Sequence, residues 1–298
     1  LFVEAATTIQ NNFGRTGIIV PSAVSMDAYN ADLFGWLINQ QQLVSLFDFE
    51  NRKKIFEAVD SRYRFCLLTL CGADVLPKQL NFCYYILDPT ELRDQARRVT
   101  LTPTEIRQFS PNTLAPPILL NATDARIAKA TYKKFGVLVN RQTGHNPWQI
   151  SIQRMLSLSD PGDIFRKITE LDEVERSDEQ RWLRLFSGKA IHQFDHRYAT
   201  YDAKGWRDST TTEHTDPTVA IKTEYYARSY EVLKRIGDKQ PYRWLFVYRD
   251  VTNPTNERTA ISAIIPQAGC DTTSRNIFSN SPSNQLADLQ SNLNSFTF

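Results

Sequence analysis

The chain is poor in the residues from which reactive and metal-binding centres are usually built. Among its 298 residues are four cysteines, four histidines and two methionines. Cys66, Cys71, Cys83 and Cys270 form no C-x-x-C pair and show no zinc-like spacing, which argues against both a zinc module and a disulfide framework. This usage fits a reduced, cytoplasmic protein. No apolar run approaches the roughly 20 residues needed to cross a bilayer, and no basic stretch followed by an apolar one opens the chain. Neither sign of charge is in large excess: the net charge is +2. A surface for nucleic acid therefore has to come from local clustering of Arg and Lys. Internal repeats and low-complexity tracts are absent.

What is present is ordinary globular material. With 41% hydrophobic and 23% charged residues, the chain can bury a sizeable core as one large domain or two ordinary ones. The first part alternates helix and strand. A helix over 1–13 ends at Gly14, Ile18 to Pro21 and Leu43 to Phe47 read as strands, and Asp27 to Gln41 reads as a helix between them. The continuous apolar run Phe65 to Leu70 reads as a strand covered on both faces. This is an α/β pattern. Asp88-Pro89 and Thr102-Pro103 start short helices, the latter with a capping box to Glu105, and Asp124 to Phe135 is a helix closed by Gly136. Beyond a Pro-containing link at 112–120, strands are expected at Trp148 to Ile152, Lys189 to Phe194 and Tyr198 to Tyr201. Helices are expected at Tyr226 to Ile236 and Asn284 to Leu293. The chain starts without Met, inside a helix pattern, and stops just after another helix, so it is expected to be a piece of a longer protein.

The most informative stretch is Arg243 to Pro266. Two apolar runs, Trp244 to Val251 and Thr259 to Pro266, flank a polar link holding Asn253, Pro254 and Asn256. Such a strand pair presents Arg249 and Arg258 at one end of a sheet, where guanidinium forks suit guanine edges or phosphates. The competing reading is that they pair with Asp250 and Glu257 and hold a turn. A second basic cluster comprises Lys189, His192, His196 and Arg197. His192 and His196 make a poor metal site, because strand positions four apart are separated by about 13 Å. Asp48 and Glu50 read as a strand end and a helix start rather than a catalytic carboxylate pair.

The segments GRTGIIVPS (14–22), LVSLFDFENRKKIF (43–56) and SRYRFCLLTL (61–70) resemble the later motifs of the large adenine-specific DNA methyltransferases. These occur in type IIG-like restriction-modification and phage-defence proteins. FSPNT (109–113), KAIHQFDHRYATY (189–201), RDVT, NERTAISAIIP and LQSNLNSF are similar to their target-recognition half. The resemblance implies an α/β fold, with the distal part of a doubly wound methyltransferase sheet over 1–105 and a mixed α+β target-recognition domain over 106–298. It further implies double-stranded DNA as partner, S-adenosylmethionine as cofactor of the parent protein, and nuclease or other defence subunits as further partners. DNA contacts fall to Lys189, His196, Arg197, Arg249 and Arg258, and Tyr63 or Phe65 is the aromatic that steadies a flipped base. The family's Gly-rich cofactor loop and its Asn/Asp-Pro-Pro-aromatic tetrapeptide are missing: Asn146-Pro147-Trp148 and Asn253-Pro254-Thr255 lack the second Pro. No nuclease-type acidic residue with a following Glu-x-Lys is present either. By itself the chain is expected not to methylate. The alternative is a non-catalytic DNA-specificity module acting with a separate catalytic subunit, and an α/β protein without a nucleic-acid role predicts no basic cleft.

Overall fold

Helices and strands gather into two units, Leu1–His145 and Asn146–Phe298, in the computed structural model, which describes residues 2–252 and 258–295. The first unit extends past residue 105 because a helix at Ala122–Phe135 belongs to its core: Ala125 is buried there, with Ala128 and Tyr132 packed alongside. That helix starts at Asn121, whose side chain accepts from the Asp124 N–H, and ends at Gly136 with φ +70.

The first unit is built on one five-stranded mixed sheet of order β1-β3-β2-β4-β5. Its strands are β1 Arg15–Pro21, β2 Leu43–Glu50, β3 Arg64–Cys71, β4 Leu80–Ile86 and β5 Val99–Leu101. Its helices are α1 Phe2–Ile9, α2 Ala23–Met26, α3 Ala31–Asn39, α4 Pro103–Phe109 and α5 Ala122–Phe135. The apolar run expected to be covered on both faces is β3, which lies between β1 and β2. Only β2 and β4 run parallel; the other pairs are antiparallel. Parallel neighbours need a crossover element, and β2 returns to β3 through 51–63 without one. At the other margin β1 pairs only with β3, and Ile19 is exposed on it, as are Phe2, Ile9 and Phe13 nearby. The capping box expected at Thr102 and Glu105 is in place: Thr102 Oγ1 accepts from the Glu105 N–H at 3.1 Å, and Glu105 Oε2 accepts from the Thr102 N–H at 2.8 Å.

The second unit holds two four-stranded sheets and a two-stranded ribbon. Its strands are β6 Ile150–Gln153, β7 Phe165–Lys167, β8 Trp182–Phe186, β9 Ala199–Asp202, β10 Gly205–Asp208, β11 Tyr225–Arg228, β12 Trp244–Arg249, β13 Ser262–Pro266, β14 Gly269–Cys270 and β15 Ser274–Ser279. Its helices are α6 Glu173–Ser177, α7 Thr211–Thr215, α8 Ser229–Ile236 and α9 Ser283–Leu293. The two apolar runs of 243–266 do pair, antiparallel, from Trp244 opposite Pro266 to Tyr248 opposite Ser262. Two expectations fail because contacts with other elements override the local pattern. Lys189 to Phe194 is a 3-10 turn and a tight reversal instead of a strand, because a Cβ on Gly188 would meet the Thr273 carbonyl oxygen at 2.6 Å and His192 and Asp195 exchange backbone hydrogen bonds of 2.7 and 3.0 Å. Tyr226 starts no helix, since β11 pairs on both sides, with β7 and β8, before α8 begins at Ser229.

One buried amide ties α9 to β13. Asn294 Oδ1 accepts from the Ser262 N–H at 2.8 Å and from Ser262 Oγ at 3.1 Å, and Nδ2 donates to the Ser262 carbonyl at 2.9 Å. Asn294→Ala strands the Ser262 N–H and hydroxyl in a buried site, while the Ser262 carbonyl keeps the Phe194 N–H at 3.1 Å, and is expected to cost about 2 kcal/mol. Urea unfolding followed on the second unit checks this; a loss under about 0.5 kcal/mol contradicts it.

Candidate nucleic-acid interface

Strand alternation organises the second unit's basic groups. In the ladder β7-β11-β8, Phe165, Ala227 and Leu183 are cross-strand neighbours on the core side. One step along each strand, Arg166, Tyr226 and Arg184 stand side by side on the opposite face, and Arg228 lies across from Trp182. That face therefore carries three arginines around two buried aromatics. The Arg228 guanidinium sits 4.3 Å and that of Arg166 5.7 Å from the centre of the Trp182 ring, within cation–π range. Trp182, Tyr226 and Leu171 form a small apolar cluster beside α6. Burial raises the Tyr226 phenol above its ordinary value against the opposing influence of Arg184 and Arg176.

Beside this face opens a cleft of about 420 Å³ whose walls include Arg176, Arg184, His196, Arg197, Arg243 and Glu179. Four of these side chains are arginines and one is a carboxylate. The Arg243 side chain is exposed and makes no hydrogen bond or ion pair among the described residues. Arg184 approaches Glu179 only to 4.0 Å, and its buried Nε has no acceptor; the Trp182 indole N–H has none either.

The residues singled out from the sequence meet only in part. His196 and Arg197 line this cleft. Arg197, however, spends its guanidinium on backbone: Nη1 donates to the carbonyls of Asp216 at 2.8 Å and Val219 at 3.0 Å, and Nη2 to that of His214 at 2.6 Å. It closes the C-terminal end of α7. Arg249 donates through Nε (2.9 Å) and Nη2 (2.5 Å) to the Ile191 carbonyl, and burial lowers its pKa. Arg258 donates to the Asn294 carbonyl at 2.8 Å. Asp250 pairs with Arg275 at 2.8 Å rather than with Arg249, while Glu257 lies outside the described residues. Lys189 is exposed on its turn. His192 packs on Tyr198 with ring centres 4.6 Å apart. Among the described residues no group of three or more His, Cys, Asp or Glu is placed to hold a metal ion.

In the first unit the two aromatic candidates separate clearly. Phe65 is a core residue, stacked on Phe49 at 5.2 Å with the edge of Phe56 at 4.9 Å, and so is not available to a base. Tyr63 is 54% exposed and lines an open depression with Pro21, Ser22, Met26, Arg62 and Arg64. Behind it the fully buried Asp48 accepts from Ser22 Oγ at 2.5 Å, from the Tyr85 N–H at 3.2 Å and from Arg64, which stacks on the Tyr85 ring at 4.4 Å. Asp48 is therefore the anchor of a structural network, and Glu50 pairs outward with Arg52 at 2.7 Å. The four thiols are free and buried, and burial pushes those of Cys66 and Cys270 up to about 12, which leaves them unreactive.

Sequence reading passed over Arg176, Arg184, Arg228, Arg243 and Trp182. The alternations W-x-R at 182–184 and Y-x-R at 226–228 are the signal that was available for three of them.

Two outcomes follow. Phe65→Ala is expected to cost about 3–4 kcal/mol of first-unit stability and Tyr63→Ala less than about 0.5; equal losses in calorimetry contradict this. His192 and His196 are both held below the ordinary value of 6.5, first by burial and then by Arg249 and Arg197 respectively. The unfolded chain therefore binds protons more readily, so their contribution to stability is complete above about pH 6.5 and is lost as pH falls through the unfolded value. The second unit's unfolding midpoint should be lower at about pH 5.5 than at about pH 7.5, and His196→Gln should narrow the difference.

No protein-family model matches this chain, and no curated protein matches it. Among solved structures it is similar to the type IIG restriction endonuclease BpuSI, at 13% identity and a TM-score of 0.31 over 98% of this chain. It is also similar to the type IIL restriction-modification enzyme MmeI, solved in complex with DNA, at 9% identity and a TM-score of 0.45 over 93% of this chain. The chain spans only 38% and 35% of the lengths of those two proteins.

Proposed function

We propose that this chain is a DNA-binding part of an adenine-specific DNA methyltransferase from a restriction-modification or phage-defence system, working in the cytoplasm. The observation that carries the DNA reading is the arginine-lined cleft of the second unit, four guanidinium groups against one carboxylate. An α/β protein with no nucleic-acid role predicts no such feature. Of the segments resembling the recognition half of the family, 189–201, RDVT, NERTAISAIIP and LQSNLNSF belong to this same unit, whereas FSPNT (109–113) belongs to the first. On this reading the second unit grips double-stranded DNA and chooses the sequence, and the first is the distal part of a doubly wound methyltransferase sheet. The open edge of β1, with Ile19 exposed on it, supports the second half of the proposal, since a sheet lacking a neighbour on one side presents such a margin.

The chain's own residues divide the work by availability. Arg184, Arg243 and Lys189 have charge to offer a phosphate, whereas Arg197, Arg249 and Arg258 donate to carbonyls and shape the surface around them. His196 lies at the cleft wall and Tyr63 is the exposed ring for a displaced base. In the parent protein S-adenosylmethionine supplies the methyl group, and the residues for that step are not among those matched here. The competing assignment, a specificity module acting with a separate catalytic or nuclease subunit, makes the same demands on the second unit.

Binding to random-sequence duplex DNA across a salt series tests the reading. Binding should weaken with salt, and Arg243→Ala should lower the slope of log K against log salt by about one. Arg249→Ala should instead lower the unfolding midpoint. Absence of binding at low salt by the full chain counts against the assignment.

A further inference from the structure

The cleft of the second unit is more specific than a basic surface. Trp182 is 2% exposed, so its indole N–H has been taken from water, and no protein acceptor replaces the lost hydrogen bond. The same is true of Arg184 Nε two residues along the strand. Buried donors left unpaired are rare in folded proteins, and both of these belong to residues that line one cleft. The ring itself packs against the guanidinium groups of Arg228 at 4.3 Å and Arg166 at 5.7 Å. Both wall types that a small ligand needs are present, since Ile221, Leu233 and Pro266 line the cleft together with the arginines.

From this geometry we infer that the cleft is a site for a phosphate-ester oxyanion, received by Trp182 Nε1, the Arg184 guanidinium and Arg243. A phosphoryl group fits better than a carboxylate for two reasons. Its oxygens are arranged tetrahedrally and reach donors that do not share a plane, and a monoester's second negative charge, which a backbone diester lacks, offsets more of the arginine excess that Glu179 leaves uncompensated. The volume of about 420 Å³ suits one nucleotide-sized group rather than a length of duplex. Arg176 contributes charge while its Nη1 stays on the Ile168 and Leu171 carbonyls at 3.3 and 3.1 Å. The ligand source is either a free phosphate monoester or a phosphate of a DNA backbone. The site stands on the cleft alone and holds whether or not the chain reads DNA sequence.

The test follows the five tryptophan indole N–H resonances of the full chain, with that of Trp182 assigned from Trp182→Phe. Inorganic phosphate is titrated first, then adenosine monophosphate, then duplex DNA. The expected result is a saturable shift of the Trp182 signal with phosphate, weakened about tenfold or more in Arg184→Gln while the other four signals report an intact fold. Displacement of phosphate by duplex DNA assigns the group to a DNA backbone; phosphate retained while DNA binds elsewhere assigns it to a free ester. A Trp182 signal that moves with none of the three overturns the site. Failure of the DNA reading looks different, because the phosphate shift then persists in a chain that does not bind duplex.

Discussion

The two-residue repeat of the strand is the constraint on which the second unit depends. Once Leu183, Ala227 and Phe165 are committed to the core side, Trp182, Arg184, Tyr226, Arg228 and Arg166 have no choice but to share the opposite face. Crowding three half-buried arginines around two buried aromatics is unfavourable unless the charges find partners or water. Two of the guanidinium groups use the indole face of Trp182 for this purpose, and Arg184 opens onto the cleft. The concentration of positive charge is thus a by-product of sheet register, and it persists as long as the register does.

Arginine does two different jobs in this unit, and the distinction lies in what its donors meet. Arg197, Arg249 and Arg258 reach main-chain carbonyls at helix ends and turns, where a planar fork satisfies oxygens that no strand or helix pairs. A lysine cannot reproduce that geometry. Arg243 lies on the surface beside β12 without such a partner among the described residues, and so keeps its full donor capacity. A count of basic residues along the chain treats these two groups alike.

Much of the fold was legible beforehand. The strand pair flanking 250–261, the capping box at Thr102, the helix closed at Gly136 and the covered strand at Phe65 to Leu70 all carry their cause within a few residues. The misses depend on distant contacts. The turn at Gly188 exists because the Thr273 carbonyl approaches it, and the polar segment Ser274–Ser279 is a strand only because β12 and β6 flank it. For the site, His196 and Arg197 were picked out from clustering in sequence, yet the cleft they line is completed by residues from β8, α6 and the start of β12. Phe65 was an equal candidate with Tyr63 because adjacent aromatics look alike until one is seen to be inside.

The unpaired margin of β1 bears on how the molecule behaves in concentrated solution. Arg15–Pro21 turns outward along that edge the backbone groups that do not pair with β3, with the apolar side chain of Ile19 exposed and Arg15 the only charged residue in the strand. Nature usually blunts such an edge with an inward charge, a bulge or a covering loop. Two copies can add strand to strand across such an edge, which makes it one place where association at high concentration can begin, whatever the net charge of the chain.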